Sequence, residues 1–195
     1  MNVIYNYSQW HYNEKFCERH SDYSLSPKWW KKPIFCGWGE QNNIAYRLKR
    51  DKGLEVPASE CATQENYQKM METLKENGVE PGIIIIDAKW QQNMGTPVVD
   101  KNKWPDLRGF VDKMHSENKK VLLWIKSWDA EGLSKKECVS LLCNPIAADP
   151  TNPIYRKRIE ENIKTLLSED EGCFDCDGFK VDFINCIPKG EDIVT

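Results

Sequence analysis

The stretch Asp177-Gly178-Phe179-Lys180-Val181-Asp182-Phe183 decides how the rest of the chain is read. It has the apolar content of a buried strand, yet it carries a lysine and an aspartate two positions apart. Successive side chains of a strand alternate between faces, so Lys180 and Asp182 share one side while Phe179, Val181 and Phe183 share the other. A charged pair is therefore aimed at whatever lies on that side.

Three further runs read as strands: Pro33 to Trp38, Gly82 to Asp87 and Lys120 to Ile125. They are short, nearly continuously apolar and rich in β-branched or aromatic residues, the pattern of strands covered on both faces, so parallel pairing is expected. Helical patterns lie between them. Thr63 caps a helix to about Asn77, with Tyr67, Met70, Met71 and Leu74 on one face and Gly78 as the stop. Pro105 opens a second helix, in which Leu107, Phe110, Val111 and Met114 recur at helical spacing. Ser134-x-x-Glu137 is a capping box for a short helix through Leu142, and Asn152-Pro153 starts a helix that turns Ile159, Ile163, Leu166 and Leu167 inward. The order β-α-β-α-β-α-β predicts a parallel sheet with right-handed crossovers, open or closed into a barrel. Gly39 to Ala62 and Ala88 to Trp104 follow the carboxyl ends of the first two strands and read as insertions of the kind from which barrel enzymes build sites. No glycine-rich phosphate-binding turn follows the first strand, which disfavours a nucleotide-binding sheet.

Bulk properties exclude several classes. The 195 residues are 40% hydrophobic and 29% charged, as in a globular domain. The 27 Lys and Arg are interleaved with 30 Asp and Glu, net charge −3, and form no basic face for phosphates, so nucleic acid is not an expected partner. The longest aliphatic run, Ile83 to Ile86, falls far short of the ~20 apolar residues of a membrane helix. The first residues lack the apolar core of a signal peptide, so no membrane partner is expected and a cytoplasmic location is favoured. The eight cysteines are expected as free thiols, Cys36 in a strand and Cys138 and Cys143 in a helical stretch, because a chain of this length needs no staples. Cys173-x-x-Cys176 lacks the second pair of a zinc site and His11, His20 and His115 are scattered, so no metal is expected. Residues 1–32, with Tyr5, Tyr7, Trp10, Tyr12, Tyr23, Trp29 and Trp30, form an aromatic lead-in of poor periodicity.

Polar groups gather at the strand ends. Asp87 closes the second strand, with Lys89 and Trp90 after it; Trp124 and Lys126 close the third, followed by Trp128 and Asp129; Lys180 and Asp182 close the fourth. In a parallel barrel these ends share one mouth. Carboxylates, lysines and indoles around one cavity suit a sugar, whose C–H face stacks on Trp while its hydroxyls bond to Asp and Lys. Asp182 is read as the catalytic nucleophile, with Lys180 favouring its ionised form. Asp87, Trp90, Trp124, Lys126 and Lys180 are read as substrate-binding. The plainer readings are an ion pair inside a barrel for Lys180 and Asp182, a turn cap for Asp87, and core or rim packing for any single Trp.

These motifs carry a resemblance. "DGFKVDF" resembles the K-x-D strand of the α-galactosidase and raffinose-synthase group of glycoside hydrolases and its retaining α-glycosidase relatives, in which the Asp is the nucleophile. "IIIIDAKWQ" is similar to their second strand end, where an Asp hydrogen-bonds sugar hydroxyls. "KWPDLRGFVDKMHSENKKVLLWIKSW" and "ADPTNPIYRKRIEENI" resemble the stretches around the third strand and before the nucleophile strand. Together they cover Pro33 to about Asn185. The resemblance implies a (β/α)8 barrel of TIM type, with residues 33–195 as its first four β/α units. It implies Asp182 as nucleophile of a retaining mechanism, Asp87 and Lys180, with Trp124 and Lys126, as substrate-binding, an α-galactoside or related α-glycoside as substrate, and no metal or organic cofactor.

The departures shape the expectation. The group carries its general acid/base on a later strand, roughly the sixth, whereas a retaining mechanism needs two carboxyl groups ~5–5.5 Å apart, for which only Asp87 and Asp129 could stand in here. A full barrel takes ~250 residues, so the chain reads as part of a longer enzyme, inactive alone and prone to self-association through its open barrel edge. Two other readings stay open: a barrel aldolase with Lys180 as a Schiff-base lysine, and a carbohydrate-binding scaffold that never completes a site.

Overall fold

The structure is a computed structural model that describes residues 3–16, 26–141 and 144–186. The chain divides into two compact units, residues 1–31 and 32–195. The first contains α1 (Val3–Asn13), whose Tyr7 stacks on Trp10 with ring centroids 6.3 Å apart, and a 3-10 turn, Lys28–Lys31, with Trp29 edge-on to Trp30.

The second unit runs β1 (Ile34–Cys36), α2 (Trp38–Lys52), α3 (Gln64–Glu76), β2 (Ile83–Ile86), β3 (Gln91–Asn93), β4 (Thr96–Val99), α4 (Leu107–Ser116), β5 (Lys120–Lys126), β6 (Cys138–Leu141), β7 (Asn144–Ala148), α5 (Pro153–Leu167) and β8 (Gly178–Asp182). The four expected strands form one parallel sheet in the order β1-β2-β5-β8, while β3-β4 and β6-β7 are two-stranded antiparallel ribbons inserted at its carboxyl end. The fold is α/β, of TIM-barrel type, with four parallel strands and the helices that connect them among the described residues.

Each run becomes its element for a local reason. Thr63 caps α3 by accepting the Asn66 N–H, and Asn152 caps α5 by accepting the N–H groups of Ile154 and Tyr155. In α4 the cap is Asp106, which accepts the Gly109 N–H at 2.9 Å; Pro105 stands before the cap and not at the first helical position. On the outer face of the sheet Ile84, Ile86, Val121 and Leu123 are fully buried against Tyr67, Phe110 and Val111 of the helices. Each such aliphatic side chain contributes about 1.5–3 kcal/mol on burial, enough to dock helices that are individually marginal.

Parallel register puts Cys36, Ile85, Leu122 and Gly178 in one row of the inner face and Trp124 and Lys180 in the next, with Lys126 beside Asp182. The sheet is open, with β1 and β8 at its edges, and Ile34 on β1 and Val181 on β8 are 59% and 55% exposed.

Several expectations are corrected. Gly39 to Ala62, read as an insertion, holds all but the first residue of α2, which is capped by Gly53, and a 3-10 turn at Ala58–Cys61. The Ser134–Glu137 capping box forms but serves a single turn, Lys135–Glu137, after which β6 begins, so Cys138 lies in a strand; Leu142 and Cys143 lie outside the described residues. In α5 Leu166 is buried, Leu167 faces solvent, and Ile159 and Ile163 line an apolar groove with Phe179 and Val181. Among the described residues six cysteines are free thiols, including Cys173 and Cys176 of the C-x-x-C loop. Burial pushes the Cys176 thiol up, which makes it a core residue and a poor nucleophile.

Candidate active site

The carboxyl ends of β2, β5 and β8 surround an open cavity of about 370 Å³. Asp87, Trp124, Lys126, Lys180 and Asp182 line it together with Trp38, Ser59, Met94 and Phe183. Five of the six site residues read from the sequence thus converge. Trp90 does not: it is fully buried, and its indole N–H donates to the Trp124 carbonyl at 2.7 Å, a packing position beneath the neighbouring indole.

Asp182 is the most open carboxylate of the group, its side chain 44% exposed, and both oxygens meet a donor. Trp124 Nε1 donates to Oδ2 at 3.0 Å and the Phe183 N–H to Oδ1 at 2.9 Å. The Trp124 indole first, then the Phe183 N–H and the Lys180 charge, hold this carboxyl below the usual carboxylate range against a small cost of burial. Phe183 breaks the alternation expected of it. Its backbone turns left-handed, φ 55°, and the ring lines the cavity, edge-on to Trp124 and 5.4 Å from the Lys126 ammonium. A β-unbranched aromatic in that conformation carries strain, and it sits beside the open carboxylate of Asp182.

Lys180 leans away from Asp182, 3.7 Å off, and toward Asp87, whose Oδ2 accepts from Nζ at 2.7 Å. Burial draws the Lys180 pKa down, but the Asp87 hydrogen bond and the charges of Asp87, Cys36 and Asp182 outweigh it and hold the ammonium above its ordinary range. Asp87 is 2% exposed and engaged on both oxygens: Oδ1 accepts the Ala88 N–H at 2.9 Å, and Oδ2 accepts the Cys36 thiol as well as Lys180. Asp129 is bound up similarly, taking Lys126 on one oxygen and the Glu131 N–H on the other. Neither is a free acid poised over the cavity.

Behind Asp87 lies a buried polar support that periodicity did not reveal. The Tyr67 hydroxyl accepts the Asp87 N–H at 2.8 Å and lies 2.9 Å from Gln41 Oε1, while Gln41 Nε2 donates to the carbonyls of Ala58 and Ala88. Both side chains have no exposed surface, so an unmet group here would cost about 1–3 kcal/mol, and the network is complete. A Cβ on Gly37 would fall 1.9 Å from the Tyr67 hydroxyl, which is why the residue after β1 is glycine. The ribbon β3-β4 is fixed to the rim in a similar way. Glu131 pairs with Lys89 at 2.8 Å and accepts the Met94 N–H at 2.7 Å, and Gly95 packs where a Cβ would meet the Asp129 carbonyl at 2.2 Å. Among the described residues no group of His, Cys, Asp and Glu is arranged to hold a metal.

A parallel β/α sheet with carboxylates, lysines and an indole at the carboxyl ends of its strands is the arrangement from which barrel enzymes build their sites. The model of the glycosyl hydrolases family 31 TIM-barrel domain matches residues 52–192, and the chain belongs to that family. The match supports a glycosyl hydrolase barrel and does not single out the α-galactosidase group. No curated protein matches the chain. Similar solved structures include a family 31 α-xylosidase from a soil metagenome in complex with xylose, 19% identical over 62% of this chain and 20% of that one, TM-score 0.45. Another is a cycloalternan-degrading enzyme from Trueperella pyogenes, 17% identical over 74% of this chain and 27% of that one, TM-score 0.41. The chain thus spans about a quarter or less of the length of these structures.

Proposed function

We propose that the chain supplies the nucleophile and part of the sugar-binding wall of a retaining α-glycosidase. Asp182 attacks the anomeric carbon of an α-glycoside, the bond to the leaving oxygen breaks, and the glycosyl group passes to the carboxylate; water then releases the sugar with its configuration kept. The observation that carries this reading is the state of Asp182: ionised, open to the cavity, and held on both oxygens by Trp124 and Phe183. Lys180 and Asp87 offer a donor and an acceptor to sugar hydroxyls, and Trp124, itself buried, contributes through its indole N–H on Asp182. The proton for the leaving oxygen comes from a group other than Asp87 and Asp129, since both are committed to neighbours.

The substrate class is an oligosaccharide or other α-glycoside, the α-galactoside of the sequence resemblance being one member to test. A Schiff-base role for Lys180 fits poorly, because such a lysine must give up its proton and this ammonium is held raised by Asp87. The test is the stereochemistry of hydrolysis, followed by proton NMR on aryl α-galactoside, α-glucoside and α-xyloside with the full-length protein. The α-anomer appearing first is expected; the β-anomer appearing first would overturn the retaining reading.

A further inference from the structure

Cys36 lies directly beneath the cavity and is assigned no role by the motifs. Its thiol donates to Asp87 Oδ2 at 3.0 Å, and its sulfur is 3.8 Å from Lys180 Nζ, so one sulfur touches both members of the sugar-binding pair. The three side chains come from three strands of the sheet: β1 carries Cys36, Asp87 directly follows β2, and β8, which lies across β5 from β2, carries Lys180. Parallel register places Cys36 level with Ile85, one row below the Trp124–Lys180 row, so the thiol supports the pair from below without lining the cavity. Burial is the main reason the thiol is raised above its ordinary range. The Asp87 hydrogen bond and charge add to it, while the Trp38 N–H and Lys180 oppose it, and the net result keeps the proton on sulfur as a donor.

We propose that Cys36 is a positioning residue for the Asp87–Lys180 pair: it fixes the Asp87 carboxylate so that Lys180 and the one acceptor position left on Asp87 Oδ1 face the sugar. This rests on the glycosidase reading, but its test is separable from it. Two accounts of Cys36 predict opposite orders of substitution. As a hydrogen-bond donor it is replaced best by serine; as a small apolar filler it is replaced best by alanine or valine.

The first measurement is the kinetics of Asp182 labelling by a 2-deoxy-2-fluoro α-glycosyl reagent in the full-length protein and its Cys36→Ser, Cys36→Ala and Cys36→Val variants. The expected result is a five- to tenfold rise in the half-saturating reagent concentration for Ala and Val, a maximal rate within about twofold, and recovery in Ser, that rise corresponding to about 1–1.4 kcal/mol. Serine labelling worse than alanine and valine, or all three matching the parent, overturns the proposal. The second measurement needs no enzyme activity: the rate at which iodoacetamide alkylates Cys36, read by peptide mapping. Removing the Asp87 charge in Asp87→Asn is expected to speed alkylation, and removing the Lys180 charge in Lys180→Met to slow it, because the thiolate fraction follows those charges in opposite directions. Equal rates in all three proteins would show that the cluster does not form. Loss of Asp182 labelling in the parent, with the opposed alkylation effects intact, would sink the glycosidase reading and leave the cluster standing.

Discussion

The two ends of the sheet carry nearly the same side chains and do opposite things with them. At the carboxyl end Asp182 is half-exposed over a cavity, with lone pairs to spare. At the amino end Asp177 is 10% exposed and its oxygens take three donors: Lys120 Nζ at 2.6 Å, His115 at 2.7 Å and the Val121 N–H at 2.8 Å. Asp175 joins the same cluster from a left-handed backbone position, 3.4 Å from His115 Nδ1 and 3.8 Å from Arg108. Charge count does not separate the two ends; commitment does. A carboxylate buried under three donors pins the backbone around it, here the start of β8, whereas one left open beside an indole can react.

That contrast predicts effects of different kinds and sizes. Asp182→Asn is expected to lower labelling or hydrolysis at least about a thousandfold with the melting temperature unmoved, the mark of a group that acts on substrate. Asp177→Ala leaves Lys120 and His115 facing a hole and is expected to cost about 3 kcal/mol, a fall in Tm of roughly 6–12 °C, while the folded fraction still labels at Asp182. If Asp177→Ala silenced labelling at unchanged Tm, the division between the two ends would collapse.

A third carboxylate tests the idea away from both ends. Glu137, 1% exposed, is pushed down to about 2, by Arg158 foremost and by Ser134, and ties the turn before β6 to α5. Its folded pKa lies below the ordinary ~4.3, so its contribution is present above that pH and is lost as pH falls toward 2. Glu137→Gln is expected to cost about 2 kcal/mol at pH 7, reduced because the Arg158 side chain is 46% exposed, and nothing near pH 2, as measured by denaturation at both pH values. The smallest effect belongs to Glu65→Gln, whose partner Lys69 stands in solvent: its thermal melting curve is expected to superimpose on the parent's.

The same contrast explains what the sequence could tell. The four sheet strands and the caps of α3 and α5 were legible because apolar runs and capping residues are local signals. The parity of Lys180 and Asp182 was legible for the same reason. What stayed hidden depends on tertiary partners. In α2 the residue with least exposure is Gln41, an amide whose place is set by Tyr67 and two carbonyls, so no apolar stripe marks the helix. The β3 ribbon strand, Gln91-Gln92-Asn93, is polar and held by the loop around Glu131. A capping box announced a helix after Ser134, but the alternation of Cys138 to Leu141 and the pull of Arg158 on Glu137 ended it after one turn. Cys36, Trp38, Ser59 and Met94 reach the site region from the first strand, the start of α2 and two connecting segments, where spacing carries no chemical signal.

The central claim, that the open carboxylate is the reactive one, meets its most direct test in intact-mass labelling. The full-length protein is treated with α-galactosyl, α-glucosyl and α-xylosyl traps of the 2-deoxy-2-fluoro or cyclophellitol type, then peptide-mapped. A single adduct on Asp182, with the fastest reagent naming the sugar, is the predicted result. Hydrolysis that proceeds with no adduct, or an adduct on another carboxylate, would contradict it.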